Sequence, residues 1–213
     1  MVQIIAIDGP AGSGKSSVSK EVASKLGFGY LDTGAAYRAL AWAVTEGKLP
    51  LPTADFTGFD YQISMDPNNF WVRSFGEDVT EEIRDPKISE SVSAVAQITS
   101  VRAFMKVLTR QLVEASGFPG VVVEGRDITT VVAPEAQVRI LLTADESVRL
   151  ARRAKELSAE QLSTLEAGLQ RRDAIDSKVV DFLKPADGVT LVDSTELNFE
   201  QTVHAVLSII REH

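Results

Sequence analysis

One segment near the start of the chain, GPAGSGKS, has the residue types and spacing of a loop that binds phosphates. It fits the pattern GxxxxGK followed by Ser or Thr, between a predicted strand and a predicted helix. Glycines let the backbone curl until successive N–H groups point into one concavity, where the helix N-terminus adds a partial positive charge. Lys15 can bridge the β- and γ-phosphates of a nucleoside triphosphate, and the Ser16 hydroxyl can bind Mg²⁺. The residues predicted to bind the triphosphate are Gly9, Pro10, Ala11, Gly12, Ser13, Gly14, Lys15, Ser16 and Ser17.

The loop alone does not decide what happens to the terminal phosphate of the nucleotide. The tetrad NKxD, with which GTP switches read guanine, is absent from the sequence. Motor and AAA-type ATPases have an apolar strand that ends in Asp-Glu, whereas the run Val121–Val123 is followed by Glu124, Gly125, Arg126 and Asp127. The residues that face a phosphate acceptor must therefore decide the class of protein.

Three polar clusters follow predicted strands or lie in insertions, where open α/β sheets bind ligands. In the first, Leu31–Arg38, a hydroxyl is followed by a phenol and a guanidinium, which suits a planar polar ligand with an anionic group. In the second, Arg126 and Asp127 emerge together after a strand, and the third, Arg171–Lys178, alternates in charge. These clusters predict a site for a second ligand, the acceptor.

Several candidate residues, in these clusters and outside them, also have a purely structural interpretation. Arg38 could be a solvated surface residue, and Asp127 could form a structural ion pair with Arg126. Three arginines after Asp145 share one helical face by their spacing, which also fits a solvated surface. These arginines are Arg149, Arg152 and Arg153. Asp8, directly before the loop, could be only a turn residue.

Short apolar runs rich in β-branched residues alternate with helical stretches, which is the pattern of a parallel sheet with helices on both faces. One apolar helical face starts at Val18 and ends at Gly27, a residue that readily adopts the left-handed conformation of a helix stop. Asn198 and Gln201 predict a capping box at the start of the last helix. The chain therefore predicts an α/β fold with about five parallel strands. The predicted strands are Ile4–Ile7, Tyr30–Leu31, Val121–Val123, Val138–Leu142 and Val189–Val192.

Two segments interrupt this alternation. Apolar residues that alternate on both sides of the turn Asp66–Asn69 predict a β-hairpin, and Ser89–Ser116 predicts two helices with a break near Thr99. The polar helical segment Asp145–Asp173 predicts a lid. The domains expected are a core of residues 1–54 and 111–213, an inserted acceptor-binding region of residues 55–110, and a lid of residues 145–173 within the core.

The composition excludes several other classes of protein. With 22 basic and 30 acidic residues among 213, the formal net charge is −8, which argues against a nonspecific nucleic-acid binder. The chain has no cysteine, which rules out disulfides and thiolate metal sites, and its two histidines, His204 and His213, leave little for a catalytic triad. No apolar run reaches the roughly 20 residues that span a bilayer, so we expect a cytoplasmic protein without a membrane partner.

These motifs together closely resemble those of the bacterial cytidylate kinase family. They read IDGPAGSGKS, LDTGAAYR, VEGRDITTVV and RRDAIDS, and the resemblance runs from about Ile4 to Ile210. It implies the P-loop NTPase fold with an inserted acceptor-binding region and a helical lid. It also implies an enzyme in which ATP, with Mg²⁺, donates its γ-phosphoryl group to CMP or dCMP. We expect it to be a monomer that binds no nucleic acid.

The resemblance also implies roles for individual residues. Arg38 and Arg126 would hold the acceptor phosphate, a use that suits two permanently charged, fork-shaped donors. Thr33, Arg102 and Asp127 would read the cytosine, whose edge presents an amine donor beside acceptors. The other acceptor residues implied are Ser93, Arg172 and Asp176 at the sugar and Tyr37 beside the nucleotide. The catalytic cations implied are Lys15, Arg152 and Arg153.

The sequence departs from the family pattern at three places. Thr129 stands where a glycine is usual, and we expect a tighter loop behind Asp127. Lys178 lies in a segment one residue shorter than usual, and residues 181–183 replace Ala-Pro-Leu. Two alternatives stay open: a phosphate-loop kinase that acts on UMP, AMP or a non-nucleotide acceptor, and a nucleotide-binding regulator without turnover.

Overall fold

The computed structural model describes residues 2–50, 56, 58–154 and 184–212. A five-stranded parallel sheet forms its centre, and each predicted strand coincides closely with one of its strands. These strands are β1 (Gln3–Asp8), β2 (Gly29–Asp32), β6 (Gly120–Gly125), β7 (Val138–Thr143) and β8 (Thr190–Asp193), numbered with three further strands described below. Their order across the sheet is β2-β6-β1-β7-β8, so β1 lies in the middle. The predicted α/β fold is therefore confirmed.

Helices precede and follow these strands. In the described residues they are α1 (Lys15–Leu26), α2 (Thr33–Thr45), α3 (Pro86–Ala96), α4 (Thr99–Glu114), α5 (Glu146–Ala154) and α6 (Phe199–Arg211), with a 3₁₀ turn at Glu82–Arg84 and a π-type helix at Ile128–Val132. The predicted ends of two helices are confirmed. Gly27 ends α1 at a φ of 66°, and Asn198 and Gln201 form the capping box of α6.

The two faces of the sheet are buried in separate apolar clusters. Ile5 and Ile7 of β1 pack on one face with Val18 of α1 and Val203 of α6. Ala6 packs on the other face, in a cluster that contains the buried side chain of Ile128. Successive side chains of a strand point to opposite faces, so a strand buried on both sides reads as a continuous apolar run. This is why β1 was predictable from its residues.

The inserted region has a third strand that the sequence did not predict. The expected hairpin is present as β3 (Tyr61–Ile63) and β4 (Val72–Ser74), and β5 (Glu77–Asp78) adds to its edge. The predicted hairpin is therefore confirmed, and β5 was not predicted because its two charged, exposed residues give no strand signal. The predicted break between two helices is confirmed, since α3 ends at Ala96 and α4 begins at Thr99.

Helix α2 connects the inserted region to the sheet. Its buried residues Ala39, Leu40 and Trp42 pack with Val72 of β4 and Val101 of α4 in a third apolar cluster. The segment that carries the candidate acceptor residues is thus fixed on one side by β2 and on the other by the inserted region.

Only the first part of the predicted lid lies among the described residues. Helix α5 occupies its start, whereas residues 155–173 lie outside the described part of the chain. Within that part, no helix combines the length and the apolar character that a membrane span requires. The proposed division into core, inserted region and lid stays a prediction.

Candidate active site

The phosphate loop occupies residues 9–14, between the end of β1 and the start of α1. Gly12 and Gly14 have φ values of 76° and 87°, a left-handed conformation that residues with a Cβ adopt reluctantly. A Cβ at Gly9 would lie 2.2 Å from the carbonyl oxygen of Leu142 in β7. The glycines of the motif are therefore required by the backbone path, in the way that the sequence pattern predicts.

Lys15 lies at the first position of α1, among other cations. Burial lowers the pKa of its ammonium group, and repulsion from Arg126 and Arg38 lowers it further. Glu124 and Asp32 act in the opposite direction. The structure thus brings the predicted donor-side lysine near the two arginines predicted for the acceptor phosphate, although the three residues come from different elements.

A buried carboxyl group, Glu124 at the end of β6, lies beside the phosphate loop. Its side chain is 2% exposed, and its Oε1 atom accepts hydrogen bonds from the Ser16 hydroxyl at 2.7 Å and from the Tyr30 hydroxyl at 2.9 Å. Burial raises the pKa of Glu124 to about 7, with a further contribution from Asp32, while Lys15 opposes the shift. We did not predict Glu124 as a site residue, although its place after a buried strand beside β1 was a usable signal.

The oxygen atoms at this point suit a hard divalent cation. Mg²⁺ prefers carboxylate and hydroxyl oxygens and the phosphates of its nucleotide, and it keeps several waters. The Ser16 hydroxyl and the Glu124 carboxyl are 2.7 Å apart and are both oxygen ligands of that kind. The residues present therefore fit the predicted Mg²⁺ that accompanies ATP.

Asp8 joins the phosphate loop to the segment after β6. Its side chain is 2% exposed, and its carboxylate accepts hydrogen bonds from the backbone N–H groups of Ile128 and Thr129 at 2.9 and 2.8 Å. The Thr129 hydroxyl donates a third hydrogen bond at 2.6 Å. Burial raises the pKa of Asp8, and the hydrogen bonds from Thr129 oppose this. The interpretation of Asp8 as only a turn residue is therefore wrong.

Asp127 is paired with Arg102, a residue from the inserted region. The Nη2 atom of Arg102 lies 2.5 Å from Oδ2 of Asp127, whose side chain is largely buried. Burial raises the pKa of Asp127, and Arg102 lowers it. Two of the three residues predicted to read the cytosine are thus in contact, and Asp127 forms its ion pair with Arg102 rather than with Arg126.

Helix α2 begins at the same edge of the sheet. Its N-cap residue Asp32 accepts a hydrogen bond from the Ala35 N–H, and the Thr33 hydroxyl donates to the carbonyl oxygen of Glu124 at 2.7 Å. A Cβ at Gly125 would lie 2.6 Å from the Thr33 hydroxyl oxygen, so only glycine permits this approach. Other predicted residues lie half-buried in this region of the fold: Tyr37 and Arg38 on α2, Ser93 on α3 and Arg126 after β6.

Two of the predicted lid arginines bind the backbone around the phosphate loop. Arg149 donates to the Ala11 carbonyl oxygen at 2.9 Å. Arg152 donates to the carbonyl oxygens of Ser13 at 3.1 Å and Ser194 at 2.8 Å. The interpretation of this helical face as solvated is wrong for both residues. A catalytic role for Arg152 stays a prediction, and the Arg153 side chain, Arg172 and Asp176 lie outside what the structure describes.

The fold and this site define a class of protein: a phosphate-loop α/β protein that binds a nucleoside triphosphate beside an acceptor. The sequence profile of the cytidylate kinase family matches residues 5–212, so the chain belongs to that family. The resemblance found in the motifs is confirmed.

Curated relatives align with this chain over almost its full length. The cytidylate kinase of Cutibacterium acnes is 44% identical, covering 97% of this chain and 95% of that protein. The cytidylate kinase of Streptomyces avermitilis is 40% identical, covering 98% of this chain and 93% of that protein. A crystal structure of a gluconokinase from Sinorhizobium meliloti superposes with a TM-score of 0.50 at 16% identity over 99% of this chain and 92% of that chain, which shows the fold alone.

The raised pKa of Glu124 predicts a pH dependence of stability in the absence of nucleotide and Mg²⁺. The ordinary pKa of glutamate is 4.5. At pH values between 4.5 and about 7, the folded chain therefore holds the Glu124 proton more tightly than the unfolded chain does. This contribution is present at low pH and is lost as the pH rises through about 7. Relative to Glu124→Gln, we expect the wild-type free energy of unfolding to fall by about 2 kcal/mol from about pH 5 to about pH 7.5.

Urea denaturation at several pH values measures this difference. Glu200→Gln, at an exposed position on α6, is the matched control and is expected to follow the wild type. A wild-type curve parallel to that of Glu124→Gln over the whole range would show that the Glu124 carboxyl does not hold its proton in this window.

Proposed function

We propose that the chain catalyses transfer of the γ-phosphoryl group of ATP to CMP or dCMP, which yields ADP and CDP or dCDP. Membership of the cytidylate kinase family supports this activity. The observation that carries it from the site is the Arg102–Asp127 pair, a guanidinium and a largely buried carboxylate beside the phosphate loop. This pair offers both a donor and an acceptor to a base.

On the donor side, the phosphate loop and Lys15 bind the β- and γ-phosphates of ATP, and Ser16 contributes a ligand to Mg²⁺. Mg²⁺ supplies positive charge that neutralises the phosphate oxygens during transfer. Glu124 orients the Ser16 hydroxyl through their 2.7 Å hydrogen bond. We infer that Tyr30, which donates to the same carboxyl oxygen, keeps Glu124 in this position.

On the acceptor side, Arg38 and Arg126 bind the phosphate of CMP. The nucleophile is an oxygen of that phosphate, which is already ionised and needs no general base. The barrier is lowered by in-line alignment of the two phosphates and by cations around the transferred group. The electrostatic repulsion of Lys15 by Arg126 and Arg38, which adds to burial in lowering its pKa, supports a shared position for the two phosphates.

The base is recognised by Asp127 and Arg102. Cytosine presents an amine donor beside two acceptors, so a carboxylate and a guanidinium are complementary to its edge. Uracil presents a carbonyl oxygen in place of the amine, and it would leave the Asp127 carboxylate facing an acceptor. A site built to hydrogen-bond one group rejects an analogue without it, because its own buried polar group is left unpaired. We propose that Thr33, Ser93 and Tyr37 complete this side of the site.

We expect the enzyme to act as a monomer in the cytoplasm, on small-molecule substrates and without a nucleic-acid or membrane partner. A net charge of −8 is compatible with anionic substrates because the cations are concentrated at the site. The segment that closes the donor side is proposed to be the lid of residues 145–173, which would exclude water from the transferred phosphate.

A coupled assay with ATP and Mg²⁺ tests the proposed reaction across CMP, dCMP, UMP, AMP, GMP and shikimate. We expect turnover with CMP or dCMP, and a kcat/KM for UMP lower by on the order of a hundredfold or more. The reason is the unpaired Asp127 carboxylate in a complex with uracil. Equal or higher rates with UMP would contradict the role of Asp127, and no turnover with any acceptor would favour a regulator.

Replacement of Arg126 is expected to affect the binding of CMP and not the binding of ATP. Arg126→Ala removes one charged donor to the acceptor phosphate, and we expect the KM for CMP to rise by on the order of tenfold to a hundredfold. The KM for ATP is expected to stay within about twofold of the wild type, because the phosphate loop is unchanged.

Initial-rate kinetics with each substrate varied in turn measure both constants. Arg73→Ala, which removes an exposed arginine from β4 of the inserted region, is the matched control and is expected to leave both constants unchanged. An equal rise of the two KM values in Arg126→Ala would contradict the assignment of Arg126 to the acceptor.

A further inference from the structure

The hydroxyl group of Thr129 lies where the donor and acceptor halves of the site meet. The Thr129 side chain is 4% exposed, and its hydroxyl donates to Oδ2 of Asp8 at 2.6 Å. The backbone N–H of Thr129 donates to the same oxygen, and the N–H of Ile128 donates to Oδ1. Among the described residues, Asp8 forms no ion pair, and the polar contacts of its side chain are these three hydrogen bonds.

These hydrogen bonds connect β1 to the segment after β6 beyond the point where the pairing of the two strands ends. The pairing of β1 with β6 ends at Asp8 and Gly125. Residues 126–129 then leave the sheet, and backbone pairing no longer fixes their distance from the phosphate loop. Asp8 directly precedes Gly9, and its carboxylate reaches the backbone of residues 128 and 129. Arg126 and Asp127 are therefore held between two fixed points, the end of β6 and the Asp8 carboxylate.

The Thr129 hydroxyl adds a side-chain donor to the two backbone N–H groups that bind Asp8. It is the second donor to Oδ2 of Asp8, and a buried carboxyl oxygen that loses a donor is left less satisfied, which costs free energy. Because threonine is branched at Cβ, its rotamers are few, and little freedom is lost when the hydroxyl is held in place. The direction of the carboxylate, and with it the position of the loop, is therefore set by three donors.

We propose that Thr129 is a positioning residue for the acceptor: through Asp8 its hydroxyl fixes Arg126 and Asp127 relative to the phosphate loop. This inference rests on the proposed function, since it assigns CMP to these two residues. Loss of the hydroxyl should loosen residues 126–129 while the phosphate loop, held by β1 and α1, keeps its path. The affinity for CMP and the preference for cytosine should therefore depend on Thr129, and the affinity for ATP should not.

Thr129→Val tests this, because valine keeps the shape and the branching of threonine and removes only the hydroxyl. We expect the KM for CMP to rise by on the order of tenfold, and the ratio of kcat/KM for CMP to that for UMP to fall by a similar factor. The KM for ATP should stay within about twofold of the wild type. Thr129→Ser, which restores the hydroxyl, should recover most of both effects.

Thr130→Val is the matched control, since Thr130 is the next residue in the same helix and is exposed. It should leave all of these constants unchanged. If Thr129→Val melts below the assay temperature, Thr129→Ala is measured instead, by calorimetric binding of CMP at low temperature as well as by kinetics. An unchanged CMP constant and an unchanged preference, or equal losses for CMP and ATP, would overturn the positioning role. Failure of the wild-type chain to turn over CMP would instead count against the proposed function.

Discussion

The parallel pairing of β1 with β6 is the constraint on which the site depends. Their register places Ile7 beside Glu124 and Asp8 beside Gly125, so the phosphate loop and the segment that carries Arg126 and Asp127 start at adjacent points. This register lets the Asp8 carboxyl group accept hydrogen bonds from the backbone N–H groups of Ile128 and Thr129 in the π-type helix. The two substrates can therefore meet because two buried strands end side by side at the same edge of the sheet.

This arrangement places positively charged side chains close together, so their mutual repulsion has to be offset. Burial lowers the pKa of Lys15, and repulsion from Arg126 and Arg38 lowers it further. Asp32 and Glu124 offset part of this repulsion, and Glu124, with a pKa of about 7, can adjust its charge near neutral pH. An anionic ligand with several phosphates would relieve the remaining repulsion. A chain with a net charge of −8 can thus form a local site for anions, provided that burial keeps these cations close.

Much of this fold was predictable because the sheet is buried on both faces, and its strands therefore read as apolar runs. The phosphate loop was predictable because its glycines are required by the backbone path. Glu124 was missed because its place after a buried strand, although a usable signal, does not by itself show that the carboxyl is buried against Ser16. Periodicity suggested a solvated face for Arg152, and it cannot show that Ser194 and Leu197, distant in sequence, supply carbonyl oxygens to its guanidinium. The short strand β5 has no apolar residue at all, and only its neighbour β4 makes it a strand.

The most direct measurement is a crystal structure of the chain with CMP, Mg²⁺ and a non-hydrolysable analogue of ATP. We expect the CMP phosphate to contact Arg38 and Arg126, the cytosine amine to contact Asp127, and the analogue to occupy the phosphate loop in line with the acceptor oxygen. The hydrogen bonds between Asp8 and Thr129 should be retained in that complex. A structure in which CMP binds away from Arg126 and Asp127, or in which the cytosine edge faces no carboxylate, would contradict this description of the site.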